Sequence, residues 1–181
     1  MKGLILLANH FEDVEALITI DMLRRAGITI DLISMNNQLD VTTQSGITIK
    51  ADLLYRDIKL DDYTYLVIPG GKAVFETHHH SEITKNIVTH FNQKHQLIAS
   101  ICAAPSILGL MGLLDGKKYT CFPGCESYMP NALFQDTDVE VYDNLITSKA
   151  AGTTFKFAYE IIKYLVNTEC AEKVIKNVYY K

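Results

Sequence analysis

Residues 97–116, LIASICAAPSILGLMGLLDG, contain the transition that decides the fold. The apolar run that begins at Leu97 is typical of a buried strand, and it stops at Cys102. A helix-like spacing of apolar residues follows at once and predicts a helix that ends at Gly116. A thiol therefore occupies the junction between a buried strand and the start of a helix.

The same alternation of strand and helix recurs along the rest of the chain. Apolar runs predict further strands at 2–8, 28–35, 63–69, 118–122, 139–143 and 145–148. Amphipathic or capped segments predict helices at 12–27, 81–94, 152–167 and 171–180, and residues 40–52 predict a small hairpin. Near-continuous apolar strands alternating with helices indicate a mostly parallel sheet covered on both faces, in a three-layer α/β/α sandwich. No linker or repeat interrupts the pattern, so we expect a single domain over residues 1–181.

Composition limits the classes of function. The net charge of −4 and the scattered lysines and arginines argue against a nucleic-acid partner. The short apolar run at the N-terminus meets Asn9, His10 and three acidic residues without a cleavage site, which predicts neither a signal peptide nor a membrane span and favours a cytoplasmic protein. The four cysteines form no paired CxxC units, so free thiols and no metal are expected.

Functional residues in such sheets gather beyond the carboxyl ends of the strands. Cys102 is predicted to lie there, at a helix N-terminus whose partial positive charge favours a thiolate, the nucleophilic form. The alternative is a buried structural cysteine, which is common for this residue type. Gly70 and Gly71 follow another predicted strand. Their N–H groups, together with the N–H group of Ala103, could approach an oxyanion. The alternative is that the two glycines only form a tight turn that requires positive φ.

Four motifs resemble the ThiJ/PfpI superfamily, in the branch of the parkinsonism-associated protein deglycase. They occur in the family's order and spacing: LLANHFEDVEAL with DMLRRAGI, LVIPGG, ASICAAPSIL, and LITSKAAGTTFKFA. The resemblance implies a flavodoxin-like fold of the class I glutamine amidotransferase-like type and a homodimer. It also implies that Cys102 is the reactive cysteine, Glu15 its buried partner acid, and the backbones of Gly71 and Ala103 the oxyanion contacts.

The position of Glu15 agrees with that implication. Glu15 lies one turn after Glu12 at the start of a predicted helix. A carboxyl kept protonated by burial beside a thiolate could donate a hydrogen bond to sulfur or transfer a proton during attack on a carbonyl. From the residues alone, the acids of this turn could equally be surface groups that favour the helix dipole.

The sequence departs from the family at Phe122, where many relatives carry a histidine near the cysteine. Without that base, protease or amidase activity is disfavoured. His10, in the loop after the first strand, could replace it or could face solvent. Lys149 could add positive charge near the pocket, although it lacks the planar fork of arginine.

Two other motifs carry weaker predictions. Adjacent side chains rarely face one metal ion, so the run His78–His80 is expected to be a solvated loop rather than a zinc site. Cys121 and Cys125 could act as resolving thiols for Cys102, but ordinary packing is the default expectation.

Two classes of function are compatible with the same pair of residues. In the first, an enzyme without cofactor converts small reactive carbonyls such as methylglyoxal, in the manner of a glyoxalase III or deglycase, with Cys102 as nucleophile and Glu15 as proton carrier. In the second, Cys102 is oxidised to a sulfinate beside protonated Glu15, and the protein senses stress or acts as a chaperone.

Overall fold

The protein is described by a computed structural model that covers residues 1–180. The strands are β1 Lys2–Leu7, β2 Thr29–Ser34, β3 Asp40–Thr42, β4 Thr48–Lys50, β5 Leu53–Leu54, β6 Tyr65–Ile68, β7 Leu97–Ile101, β8 Lys118–Tyr119, β9 Leu133–Phe134, β10 Val139–Tyr142 and β11 Leu145–Ser148. The helices are α1 Asp13–Arg25, α2 Ala73–Glu76, α3 Glu82–Gln93, α4 Pro105–Leu110, α5 Thr154–Leu165 and α6 Thr168–Asn177.

A seven-stranded sheet in the order β10-β11-β7-β6-β1-β2-β5 forms the centre of the molecule. All neighbours in it are parallel except the edge strand β10, which runs antiparallel to β11. β6, β7 and β11 are buried along their whole length. For β6 and β7 this agrees with the apolar runs of the sequence, whereas residues 145–148 indicate only a short strand. The predicted α/β fold with a mostly parallel sheet is therefore confirmed, and the expected hairpin is β3 paired with β4.

The strand order creates a switch point between β1 and β6. The chain leaves β1 through α1 to reach β2 on one side, and it leaves β6 through α3 to reach β7 on the other. Because such crossovers are right-handed, these two connections place α1 and α3 on opposite faces of the sheet. The loops after β1, β6 and β7 therefore converge at one end of the sheet, where ligands bind in folds of this type.

The helix after Cys102 is shorter than the sequence predicted. α4 ends at Leu110 and not near Gly116, because Gly112 adopts a left-handed backbone with φ 70° and Leu113 N–H donates to Leu108 O. This Schellman-type closure satisfies the last carbonyl groups of the helix and turns the chain away. Among residues 1–180, no helix combines the length and apolar character that crossing a membrane requires.

Candidate active site

Cys102 occupies a strained elbow between β7 and α4. Its φ of 64° lies in the left-handed region, which residues with a Cβ rarely adopt. Two hydrogen bonds hold the elbow: Cys102 N–H donates to Ser148 O over 2.9 Å, and Cys102 O accepts from Phe122 N–H over 2.8 Å. Strain of this kind persists where the surroundings over-determine the backbone, and it is typical of functional sites. The half-buried thiol is thereby held at the end of the sheet.

Glu15 reaches the same place from the first turn of α1. Its side chain is completely buried, which excludes the alternative of a surface acid at the helix start. Oε2 accepts a hydrogen bond from Gly70 N–H over 2.7 Å, and the carboxyl also interacts with the Cys102 thiol. Oε1 is buried and has no hydrogen-bond partner among residues 1–180. α1 and β7 thus bring together two groups that lie 87 positions apart in the chain.

The glycine pair after β6 makes this approach possible. A Cβ atom on Gly70 would lie 2.6 Å from Cys102 Cβ and 2.7 Å from Glu15 Oε2, so only glycine fits between the two side chains. Gly71 has a φ of 90°, and a Cβ there would lie 2.5 Å from His10 O. The turn does require positive φ at Gly71, and its backbone also faces the cysteine, as does that of Ala103. The sequence points to this glycine pair as a backbone contact, whereas the steric role of Gly70 depends on its tertiary neighbours.

Burial dominates the protonation of the two groups. It raises the pKa of Glu15 to about 7, although hydrogen bonds from Gly70 and Cys102 act in the opposite direction. Burial also raises the pKa of the Cys102 thiol, and the charge of Glu15 adds to the rise, whereas the N–H groups of Ala103 and Gly71 lower it. The expectation that a helix N-terminus leaves this thiol with a lowered pKa is therefore wrong, since desolvation beside a carboxylate outweighs the six-residue α4. A proton held by Glu15 removes the charge that opposes the thiolate.

A cavity of about 380 Å³ opens in front of Cys102. It contains five of the predicted site residues: Glu15, Gly71, Cys102, Ala103 and Phe122. The other walls come from Phe75, Lys72, Glu12, Gln44 and the turn 150–152. A more open groove of about 570 Å³ lies at the amino end of β2, beside Arg24 and Asp52, at the opposite end of the sheet from the cysteine.

Two predicted pocket residues do not line this cavity. His10 Nδ1 lies 2.6 Å from Glu76 Oε2, and both side chains are about half exposed. Lys149 forms an ion pair with Asp136. Neither side chain is therefore among the walls of the cavity around Cys102. The tertiary partners, which lie 66 and 13 positions away, gave no signal in the sequence.

The histidine run is not a solvated loop, contrary to the sequence-based expectation. His78 is buried, its Nδ1 pairs with Thr84 Oγ1 over 3.0 Å, and burial lowers its pKa to about 4. His79 is half-buried and lies 2.7 Å from Ser106 Oγ in α4; only His80 is exposed. Within the part of the chain that the structure describes, no three His, Cys, Asp or Glu side chains are grouped to hold a metal ion.

The remaining cysteines lie outside the cavity walls. All four thiols are free; Cys121 and Cys125 are buried, and Cys170 is half-buried. Burial raises the pKa of Cys121 to about 12, with the nearby Glu126 and Cys125 adding to the rise. Of the four thiols, Cys102 alone lines the candidate site.

A cysteine on the turn from a central strand to a helix, at the switch point of a mostly parallel sheet, defines an α/β protein of the nucleophile-elbow class. The chain belongs to the DJ-1/PfpI family, whose pattern matches residues 1–164, and the resemblance found in the sequence is thereby confirmed.

Similar proteins extend over nearly the whole chain. Protein dj-1beta of Drosophila melanogaster is 30% identical over 179 residues, covering 98% of this chain and 96% of that protein. Its crystal structure superimposes with a TM-score of 0.94 over 99% of this chain and 98% of the other. A Pyrococcus horikoshii protein named as a deglycase is 32% identical over 167 residues, which are 91% of this chain and 99% of that protein. Protein DJ-1 homolog B of Arabidopsis thaliana is 34% identical over 175 residues, and the matched region spans 96% of this chain but only 40% of that longer protein.

Proposed function

We propose that this protein converts small 2-oxoaldehydes such as methylglyoxal to hydroxy acids, with Cys102 as nucleophile and Glu15 as proton carrier. One observation carries the proposal: the thiol and a completely buried carboxyl share a cavity that is open to small molecules. The relatives named as deglycases, about one third identical, support chemistry on carbonyl compounds.

The proposed reaction begins with addition to the aldehyde. Cys102 Sγ forms a bond to the aldehyde carbon while its thiol proton passes to the carboxylate of Glu15, and Glu15 delivers that proton to the carbonyl oxygen, giving a hemithioacetal. The N–H groups of Gly71 and Ala103 stabilise the charge that develops on that oxygen. Each group already lies at the cavity, so addition requires no rearrangement of the fold.

The second half of the reaction moves one proton between carbons. Glu15, again a carboxylate, removes the proton from the hemithioacetal carbon and returns it to the neighbouring carbon. The hydroxyl proton of the hemithioacetal passes to the former ketone oxygen, so the former ketone carbon carries a hydroxyl group and the sulfur-bound carbon becomes a thioester carbonyl. Water then cleaves the thioester and releases the hydroxy acid with free Cys102. The balance is methylglyoxal plus water to lactate, with no external oxidant or reductant. A carboxyl group whose pKa is raised to about 7 is suited to both donating and accepting that proton near neutrality.

Phe122 disfavours peptide hydrolysis at the same site. Cleaving an amide requires an acid that protonates the amine leaving group, and the cavity wall carries a phenyl ring where the family often has histidine. Addition to an aldehyde has no amine leaving group. Homodimer formation, a single domain over residues 1–181 and a cytoplasmic location stay predictions.

The same pair of residues supports a second candidate function, redox sensing. Two equivalents of peroxide would oxidise the Cys102 thiolate to a sulfinate and release two waters, and protonated Glu15 could donate to a sulfinate oxygen. The observation that favours this alternative is the completely buried carboxyl beside the half-buried thiol.

Lactate formation from methylglyoxal tests the proposal, with wild type, Cys102→Ser, Glu15→Gln and the exposed-site control Glu172→Gln. We expect turnover in wild type and in the control, none in Cys102→Ser, and a strong loss in Glu15→Gln, which retains the shape but has no transferable proton. Cleavage of a peptide substrate that depends on Cys102 would overturn the choice of carbonyl chemistry. Absence of both activities, together with peroxide oxidation of Cys102 to sulfinate, would favour the sensor.

A further inference from the structure

His79 joins the loop after β6 to the elbow that carries Cys102. Its Nε2 lies 2.7 Å from Ser106 Oγ, and Ser106 is completely buried in the first turn of α4. The Ser106 hydroxyl in turn donates to Ala103 O over 2.6 Å, and Ser106 N–H donates to the same carbonyl over 3.0 Å. Ala103 directly follows the cysteine. One imidazole is thus connected, through one hydroxyl, to the residue whose N–H faces the thiol.

The direction of this hydrogen-bond chain follows from the number of protons. A serine hydroxyl has one proton, and in this network it is donated to Ala103 O. His79 Nε2 must therefore be the donor to Ser106 Oγ, which assigns the Nε2-protonated tautomer. Burial, with a smaller contribution from His80, lowers the pKa of His79 and so favours the neutral ring.

The same imidazole also supports a wall of the cavity. Its centroid lies 5.2 Å from that of Phe75, with the two rings nearly perpendicular, and 5.0 Å from that of Tyr128. Phe75 lines the cavity in front of Cys102, and its side chain is 40% exposed. An edge-to-face contact of this kind fixes where the phenyl ring stands.

We propose that His79 is a positioning residue for the Cys102 site: its Nε2–H fixes the carbonyl of Ala103 through Ser106, and with it the backbone of the residue whose N–H faces the thiol, and its ring fixes the Phe75 wall. The proposal rests on the proposed function, in which Cys102 attacks a carbonyl and Ala103 N–H faces the developing charge. It gives the histidine run a role, since the ring in the middle of the run reaches the elbow. The alternative is that His79 only packs the loop 78–80 against α4.

Two substitutions separate the hydrogen bond from the ring contact. His79→Phe keeps an aromatic ring against Phe75 but has no donor, whereas His79→Gln keeps an N–H donor near the position of Nε2 but has no ring. We expect His79→Phe to lower kcat about fivefold, with little change in KM. The rate at which iodoacetamide alkylates Cys102 should also fall about fivefold. We expect His79→Gln to keep kcat and to raise KM for an oxoaldehyde with an apolar substituent, such as phenylglyoxal, about fivefold.

The experiment measures kcat, KM and Cys102 alkylation at pH 7 for both variants, with the exposed-site control His80→Gln. Ser106→Ala and the double variant His79→Phe/Ser106→Ala complete a double-mutant cycle. The losses of kcat in the two single variants should not add in the double variant, because both substitutions break the same chain of hydrogen bonds. Ser106→Ala also tests that chain if His79→Phe does not fold. Three results would each overturn the proposal. The first is equal effects of His79→Phe and His79→Gln, and the second is losses of kcat that add in the cycle. The third is a lower melting temperature with unchanged kcat, KM and alkylation rate. Wild type without turnover would refute the proposed function, and the alkylation rates would still decide the role of His79.

Discussion

Replacing Glu15 by glutamine should change how the stability of the protein depends on pH. In the folded protein, burial raises the pKa of Glu15 from its ordinary value of 4.5 to about 7. Between these pH values the folded protein keeps a proton that the unfolded chain has released, so stability falls as the pH rises. The contribution is fully present below pH 4.5 and has been lost above pH 7, and it amounts to about 3 kcal/mol at about 1.4 kcal/mol per pKa unit. The amide side chain of the Glu15→Gln variant stays neutral throughout, so the variant lacks this slope.

A second buried group has the opposite slope. Burial lowers the pKa of His78 from 6.5 to about 4, so between these values the unfolded chain binds the extra proton and stability rises with pH. The two contributions oppose each other from about pH 4.5 to 6.5, where the wild-type profile alone would hide both. The quantity to examine is therefore the difference between Glu15→Gln and wild type, in which the contribution of His78 cancels.

Urea unfolding at intervals from pH 4.5 to 8 under reducing conditions measures that difference. The series ends at pH 8 because thiols of the unfolded chain ionise above it. The free energy of unfolding of Glu15→Gln, relative to wild type, should increase by about 3 kcal/mol across the series, with most of the increase below pH 7. The exposed Glu172→Gln should give a flat difference. A flat difference for Glu15→Gln as well would refute the conclusion that Glu15 is protonated in the fold near neutrality.

Three further substitutions or measurements test the geometry of the cavity. Gly70→Ala should abolish turnover and lower the free energy of unfolding by about 2 kcal/mol or more, because its Cβ would overlap Cys102 and Glu15. The control Gly152→Ala should leave the melting temperature nearly unchanged, because no atom lies within 4 Å of its added Cβ. Phe122→His should lower turnover of apolar oxoaldehydes severalfold, because a polar imidazole replaces the phenyl ring of the cavity wall. It should not create peptidase activity, since position 122 is 46% exposed and water competes for hydrogen bonds to the new ring; Cys102-dependent peptide hydrolysis would contradict this. Iodoacetamide at pH 7.5 should modify Cys102 at least tenfold faster than Cys121, because Cys121 is completely buried. Peptide mass mapping follows the two rates, and faster modification of Cys121 would show that the cavity does not expose Cys102.

Much of the fold and part of the site follow from local patterns. The apolar runs at β1, β6 and β7 predict buried parallel strands, because a strand covered on both faces needs an apolar side chain at nearly every position. The elbow position of Cys102 follows from the adjacency of a strand and a helix, which is a local property. Helix ends are harder to predict: Gly112 and Gly116 both adopt left-handed φ, and only the contact from Leu113 to Leu108 shows which one ends α4.

The sequence by itself determined the α/β class, the thiol at the elbow and, through its motifs, the choice of Glu15 as the partner acid. Tertiary structure alone decided what those groups do electrostatically, because desolvation depends on everything that surrounds a side chain, and burial reversed the expected direction of the pKa of Cys102. It also decided which histidine faces the elbow: His10 pairs with Glu76 while His79 reaches Ser106. Contacts between residues that lie 27 or 66 positions apart leave no periodic trace in the chain, since they arise only when separate elements pack together.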